Sequence, residues 1–283
     1  MRAKEFLIEM PFVSDLNRGF DSLQPEDDDP GLDEERIMSA ARQIKKDCAP
    51  FIKNNFNYIN DGEYLYRGVK SSDPNMDLII SGNVRTDRVP RDTPRAWHFL
   101  LDEFFSRQFG WKYRSSSIFT TQVSGQAADY GAIFVIFPVG DYKICYSPMV
   151  SDAFTDLISD PKSYAITHTL KHIVTDEMAK QLVTKYDMDD SIYPVSNKND
   201  FIDRIGLLFE QAASYGFQPG FKEFLIEFFL PHLKYQETLT YSSVGQSEAM
   251  IKCGKYYGVK SVGYGSTKRQ VDLFKSIMEA ILY

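Results

Sequence analysis

Cysteine is scarce in this chain. Cys48, Cys145 and Cys253 are its three copies, they stand far apart, and no Cys-x-x-Cys occurs. An odd, dispersed set supports neither a disulfide framework nor a zinc knuckle, and it fits a reducing compartment. Histidine is nearly as rare, with four copies: His98, His168, His172 and His232. His168 and His172 are four apart, but the residues between them are Thr169, Leu170 and Lys171. A zincin helix needs a glutamate there, so the pair reads as a partly exposed helix face and no metal is predicted. No apolar run approaches the about 18 residues of a membrane span, so no membrane partner is expected. The opening MRAKEFLIEMPF carries Glu5 and Glu9 inside its apolar run and is not read as a secretory signal. Positive charge is in deficit: 32 basic against 39 acidic residues give a formal charge of −7. That excludes a nucleic-acid or acidic-membrane binder acting through its whole surface, though not through a local basic cleft. Glycine-rich phosphate loops of the G-x-G-x-x-G or G-x-x-x-x-G-K-[ST] type are missing, which argues against a doubly wound nucleotide fold.

What is present is ordinary globular material, 43% hydrophobic and 25% charged, enriched in aromatics with 21 Phe and 17 Tyr. Residues 1–32 read as an N-terminal arm and acidic loop: FLIEMPFV as an edge strand or docking arm, QPEDDDPG as a solvated connection. Residues 33–283 read as one α+β domain. From Asp33 to about Lys53, Ile37, Ala40, Ala41, Ile44 and Cys48 recur at helical spacing, with Pro50 marking the end. Tyr64 to Val69 reads as a strand after the turn-formers Asn60, Asp61 and Gly62. The RTDRVPR loop carries Arg85, Arg88 and Arg91, which either pair with the acidic excess or form a local anion surface. Asp92 or Thr93 is expected to cap a helix whose apolar face is Phe99, Leu100, Phe104, Phe105 and Phe109, ending at Gly110. WKYRSSSIFTTQ reads as a β segment, VSGQAADYG as a turn and short helix, and AIFVIFPVG as a strand buried on both faces. DYKICYS follows as a strand. Residues 152–237 read as mainly helical, TLTYSS, SEAMIKC and KYYGVKSVGYG as β, and KRQVDLFKSIMEAILY as a closing helix.

Three stretches carry chemistry. Arg67, followed by Gly68, sits on an apolar strand, where a guanidinium either snorkels or waits for a phosphate or carboxylate. The segment 115–122 is rich in hydroxyls, including Ser117, Thr120 and Thr121. Gln246 and Glu248 are two apart just before an apolar strand, so an extended backbone turns both to one side. Taken singly, each is a common pattern with a bland reading on a solvated surface. Glu177, in a helical context, is a rival carboxylate.

Taken in order, the series is more specific. An aromatic-Arg-Gly strand, a hydroxyl-rich strand, an A-A-x-Y-G helix, a strand ending Phe-Pro-x-Gly, and a late Q-x-E before a second apolar strand resemble the NAD-dependent ADP-ribosyltransferases of the Arg–Ser–Glu class. Arg67 stands for the family's Arg, Thr120-Thr121 for its Ser-Thr-Ser motif with Ser117 as a nearby substitute, and Glu248 for its Glu, with Gln246 two residues before. The resemblance covers about 60–145 and 238–262. The motif reads T-T-Q rather than S-T-S, and 152–237 becomes a helical insertion. The resemblance implies a split antiparallel or mixed β-sandwich core with an N-terminal and a C-terminal helix. It implies NAD⁺ as substrate, and a host protein or nucleic acid as acceptor. It implies Glu248 under the reacting ribose and Gln246 orienting the acceptor. Arg67 and Gly68 would hold phosphate, Thr120 and Thr121 would hold the cleft together through bonds to Glu248 and the backbone, Ser117 would stand in for a motif hydroxyl at the NAD⁺ site, and Phe119 or Tyr130 would stack on nicotinamide. The alternative is a module of the same fold without turnover, a structural or binding part, for example of a phage virion. The expected setting is a host cytosol or a virion.

Overall fold

A computed structural model describes residues 30–70, 78–88, 93–153, 156–157, 164–188, 195–241, 244–245, 247–262 and 266–283. The elements along the chain are α1 (Pro30–Asp47), α2 (Ala49–Asn60), β1 (Tyr66–Val69), β2 (Ile79–Asn83), α3 (Arg95–Phe109), β3 (Ile118–Thr120), α4 (Ser124–Ala128), β4 (Ala132–Pro138), β5 (Lys143–Tyr146), α5 (Tyr164–Ile173), α6 (Asp176–Lys185), α7 (Lys198–Tyr215), α8 (Pro219–Phe224), β6 (Gln236–Thr238), β7 (Ala249–Lys252), β8 (Lys255–Lys260) and α9 (Lys268–Leu282). The expected edge strand at FLIEMPFV, and the acidic loop up to Asp29, lie outside the described residues. Among the described residues no helix is long and apolar enough to cross a membrane.

The architecture is mixed α+β, with helices near both ends and two four-stranded antiparallel sheets in the orders β1-β4-β8-β2 and β3-β7-β5-β6. The chain forms two compact units. The first contains Met1–Thr86, Ser116–Cys145 and Glu237–Tyr283; the second contains Asp87–Ser115 and Tyr146–Gln236. The helical stretch foreseen at 152–237 falls almost wholly in the second unit, together with α3.

In the first unit, α1 buries the stripe Ile37, Ala40, Ala41, Ile44 and Cys48, as its spacing predicts. Pro50 does not end this helix. The chain breaks at Cys48, and Pro50 stands in the first turn of α2, where a missing N–H is harmless and a fixed φ is useful. Phe51 of α2 makes edge contacts with Phe137 of β4 and Tyr142, and stacks on Tyr241 at 5.8 Å between ring centres. β4 is buried from Phe134 to Pro138, so its continuous apolar run has the expected cause. The closing helix α9 packs against α1 and begins with a capping box between Thr267 and Gln270.

The second unit has an aromatic core. Trp97 of α3 stacks on Phe209 of α7 at 5.1 Å and meets Phe217 edge-on, and Phe221, Phe224 and Phe229 continue the cluster. Gly110 ends α3 in the left-handed region, with φ 68°, as expected. The start of α3 differs from expectation. Pro94 is the N-cap and no side chain caps the helix; Thr93 is buried, and Asp92 lies outside the described residues. The β segment expected over 111–122 is also shorter than foreseen. Only Ile118–Thr120 is strand, extended by one bridge at Thr121, while Tyr113–Ser115 is a turn.

Candidate functional site

The site lies within the first unit and begins at an edge of β1. Tyr66 and Thr121 exchange both backbone hydrogen bonds, with N···O distances of 2.7 and 2.9 Å, so the start of β1 is stitched to the end of β3. On its other side β3 pairs with β7, with Thr120 opposite Ala249 and Phe119 opposite Met250. One step further along that register stand Thr121 and Glu248. Three segments far apart in sequence therefore run side by side: Tyr66-Arg67, Thr120-Thr121 and Glu248-Ala249. Neighbouring strands are about 5 Å apart, so the outer two backbones are separated by about 10 Å.

Gly68 explains part of the pattern. A Cβ built on it would lie 2.0 Å from the Ala127 carbonyl oxygen and 2.7 Å from the Tyr130 Cβ. The residue is glycine so that α4 can seat directly on β1. Successive strand residues point to opposite faces, so Arg67 turns away from α4, to the face that carries its cross-strand partner Phe134. Arg67 is half-buried, and among the described residues it makes no ion pair. Tyr130 packs on the Gly68 face, opposite Arg67. The structure therefore does not bring Tyr130 and Arg67 to one face of β1, and the row Tyr66–Thr121–Glu248 turns Glu248 to the Tyr66 and Gly68 side as well, opposite Arg67.

The two threonines also divide. The Thr120 hydroxyl is buried and donates to the Ala249 carbonyl at 3.1 Å. The Thr121 hydroxyl donates to Gln126 Oε1 at 2.7 Å and accepts from the Val123 N–H at 3.1 Å, which ties β3 to the start of α4. Strand alternation puts Thr120 and Glu248 on opposite sides of the β3–β7 pair. Of the expected bonds to Glu248 and the backbone, the structure shows Thr120 on the backbone carbonyl of Ala249 and Thr121 on Gln126 and the Val123 N–H. Phe119 is half-buried and shares a face with Met250, the face to which Glu248 belongs by alternation. Ser117 is buried, and its Oγ has no hydrogen-bond partner among the described residues. Gln246 lies outside the described residues. Arg85 is exposed and Arg88 half-buried, while Arg91 also lies outside them.

The chain leading to Glu248 is anchored from behind. Asn55 is fully buried in α2, at a residue whose φ of −121° leaves the helical region. Its Nδ2 donates to the Leu239 carbonyl at 3.1 Å, and its Oδ1 accepts from the Tyr241 N–H at 3.2 Å. Tyr142 Oη donates to the same Leu239 carbonyl at 2.5 Å, and Tyr241 Oη donates to the Glu63 carbonyl at 2.9 Å. An amide buried among aromatics must be satisfied, and here its bonds fix the path of 239–241. Sequence reasoning missed this support. Its signal was an asparagine on the apolar face of α2, among Phe51, Ile52 and Ile59.

Glu248 is half-buried, and its charge reaches Cys145. Burial first, then the carboxylates of Glu237 and Glu248, push the Cys145 thiol far above its usual range. Burial likewise raises Cys48, and pushes Cys253 up to about 12. Burial therefore favours the thiol form of all three cysteines at neutral pH.

A second polar cluster lies in the other unit. His98 and Asp102, one turn apart on α3, are buried with Ser115. Asp102 Oδ1 accepts from the N–H groups of Arg114 at 2.8 Å and Ser115 at 3.1 Å, and its Oδ2 accepts from the Ser115 hydroxyl. His98 Nε2 is 2.9 Å from Ser115 Oγ and 3.5 Å from Asp102 Oδ2. Burial pulls the His98 pKa down to about 4, against the opposing pull of Asp102. A hydroxyl has one proton. Ser115 gives it to Asp102, and with its proton on Nε2 His98 donates to Ser115. That is the reverse of nucleophile activation, in which the imidazole accepts from the serine and its other nitrogen faces the carboxylate. The cluster fastens the 113–115 turn to α3.

Comparison of the chain with protein-family models, with curated proteins and with solved structures returns no match.

Proposed function

We propose that this protein transfers ADP-ribose from NAD⁺ to a macromolecular acceptor, a protein side chain or a nucleobase, releasing nicotinamide. The observation that carries the reading is the side-by-side run of the Arg67, Thr120-Thr121 and Glu248 segments where the two sheets meet at Tyr66 and Thr121. The resemblance to the Arg–Ser–Glu transferases implies that these three segments come together, and the shared run of their backbones supports the reading. The finer fold assignment, a split sandwich of that family's type, belongs to the same proposal.

Each residue then has a role. The Arg67 guanidinium takes a phosphate oxygen of NAD⁺, for which a planar fork of donors suits better than an ammonium. The bond from ribose C1′ to the nicotinamide nitrogen breaks, and its electron pair leaves with neutral nicotinamide. Positive charge builds on the ribose, where the fixed carboxylate of Glu248 stabilises it. The acceptor's nucleophilic atom bonds to C1′ and loses a proton. Gln246 orients the acceptor. A second reading is a module of the same fold that binds without turnover. It is favoured by two observations: both threonine hydroxyls are already engaged away from Glu248, and strand alternation turns Arg67 and Glu248 to opposite faces, so that the guanidinium must reach round the strand edge to share a ligand with the carboxylate.

The test uses purified protein, labelled NAD⁺ and cell lysate. Label should appear on protein or nucleic acid, and Glu248→Gln should lower the rate about 10²–10³-fold, the scale of losing one transition-state electrostatic contact. Arg67→Lys should mainly raise KM. NAD⁺ binding without turnover supports the second reading. Neither binding nor turnover defeats both.

A further inference from the structure

We propose that His168 and His172 form a chelating site for a late first-row divalent cation of the copper(II) or nickel(II) class on the surface of α5. This inference is independent of the transferase reading. The two histidines are one turn apart on the helix, and their ring centres lie 4.2 Å apart. Their Nε2 atoms face each other at 3.0 Å. His172 is exposed and His168 half-buried.

The separation of the nitrogens bears on the coordination geometry. With metal–nitrogen bonds of about 2.0–2.1 Å, two ligands at a right angle have nitrogens about 2.9 Å apart, and two at a tetrahedral angle about 3.3–3.4 Å apart. The 3.0 Å between the Nε2 atoms is the hydrogen-bond distance of the metal-free pair, and bringing them to the right-angle separation of adjacent positions in a square-planar or octahedral shell takes only a small movement. That shell belongs to Cu²⁺ and Ni²⁺ rather than to Zn²⁺, and imidazole is a ligand that both favour. In the absence of metal the two rings satisfy one another as N–H donor and N acceptor. A cation takes both Nε2 lone pairs when the donor ring moves its proton from Nε2 to Nδ1, so two neutral imidazoles bind it with no net loss of protons. No cluster of three or more His, Cys, Asp or Glu suited to a metal occurs among the described residues. The described residues therefore supply the two imidazoles alone. The other two histidines do not compete on equal terms. His98 is buried, and His232 donates from Nδ1 to the Phe228 carbonyl at 2.6 Å.

The experiment is a titration of the full chain with CuCl₂, and separately with NiCl₂ and ZnCl₂, in a weakly coordinating buffer near pH 7.5, followed by calorimetry and by electron paramagnetic resonance for copper. One equivalent of Cu²⁺ should bind with a two-imidazole-nitrogen signature. His172→Ala, at an exposed position that leaves the fold intact, and His168→Ala should each weaken binding at least tenfold. His232→Ala should leave it unchanged. Zn²⁺ should bind more weakly than Cu²⁺, by more than tenfold. No saturable binding to the native chain, one equivalent that survives His172→Ala, or Zn²⁺ binding as tight as copper would each overturn the assignment.

Discussion

Replacing Asp102 by alanine removes the acceptor that holds the 113–115 turn. Two amide N–H groups, of Arg114 and Ser115, lose that acceptor at a buried position. The Ser115 hydroxyl is partly rescued, because it can rotate its proton onto His98 Nε2, 2.9 Å away, once the imidazole shifts its own. Hydrogen bonds to a charged group contribute about 1.5–3 kcal/mol each, and buried orphans cost about 1–3. Two such bonds make Asp102→Ala destabilising by about 3–5 kcal/mol, after allowance for water entering the small space left behind. Asp102→Asn should cost only about 1–2 kcal/mol, because the amide oxygen still accepts from both N–H groups. The assay is urea unfolding followed by tryptophan fluorescence. Both tryptophans, Trp97 and Trp111, lie in the second unit, and Trp97 is stacked in its core, so the signal reports the unit that contains the cluster. A cost below about 1 kcal/mol for alanine, or an asparagine variant no better than alanine, would refute this reading of the buried network.

Two further outcomes follow from the structure. His98 is held with a pKa of about 4, below its ordinary 6.5, so the unfolded chain binds its proton first as the medium acidifies. Its contribution to stability is full above about pH 6.5 and is lost as the pH falls toward 4. Near pH 5 the loss is about 2 kcal/mol, and His98→Gln should flatten that slope in unfolding midpoints measured from pH 7 to 5. Gly68→Ala places a methyl group against the Ala127 carbonyl, 2.0 Å away, and should cost at least about 1–3 kcal/mol by thermal unfolding while unseating α4. A melting temperature equal to that of the native protein would show that β1 and α4 are not in direct contact.

The elements legible in the sequence are those whose side-chain period is regular. The α1 stripe, the apolar run of β4 and the amphipathic α9 each fix one face by local spacing, and each forms where expected. Pro50 misled because proline is as compatible with the first turn of a helix as with an ending, and only the break at Cys48 decides between them. The stretch 113–117 has the composition of a strand. It turns instead because a carboxylate on α3, more than ten residues earlier, takes its N–H groups before a neighbouring strand can. The chemical types at Arg67, the hydroxyl-rich 117–121 and Glu248 were legible as well, since a guanidinium, hydroxyls and a carboxylate each carry their chemistry with them.

What the sequence by itself determined is therefore local: periodicities, turn residues, buried runs, and the kinds of functional group available. Which groups become neighbours is another matter. The bridge from Tyr66 to Thr121 and the pairing of Thr120 with Ala249 join residues 55 and 129 positions apart, and no local preference encodes such contacts. The facing of each side chain was also decided there, because a strand's alternation has a meaning only once its partner and register are known. Thr120 turned to the core side and Thr121 to the α4 side for that reason, and Gly68 is a glycine because α4 lies on it.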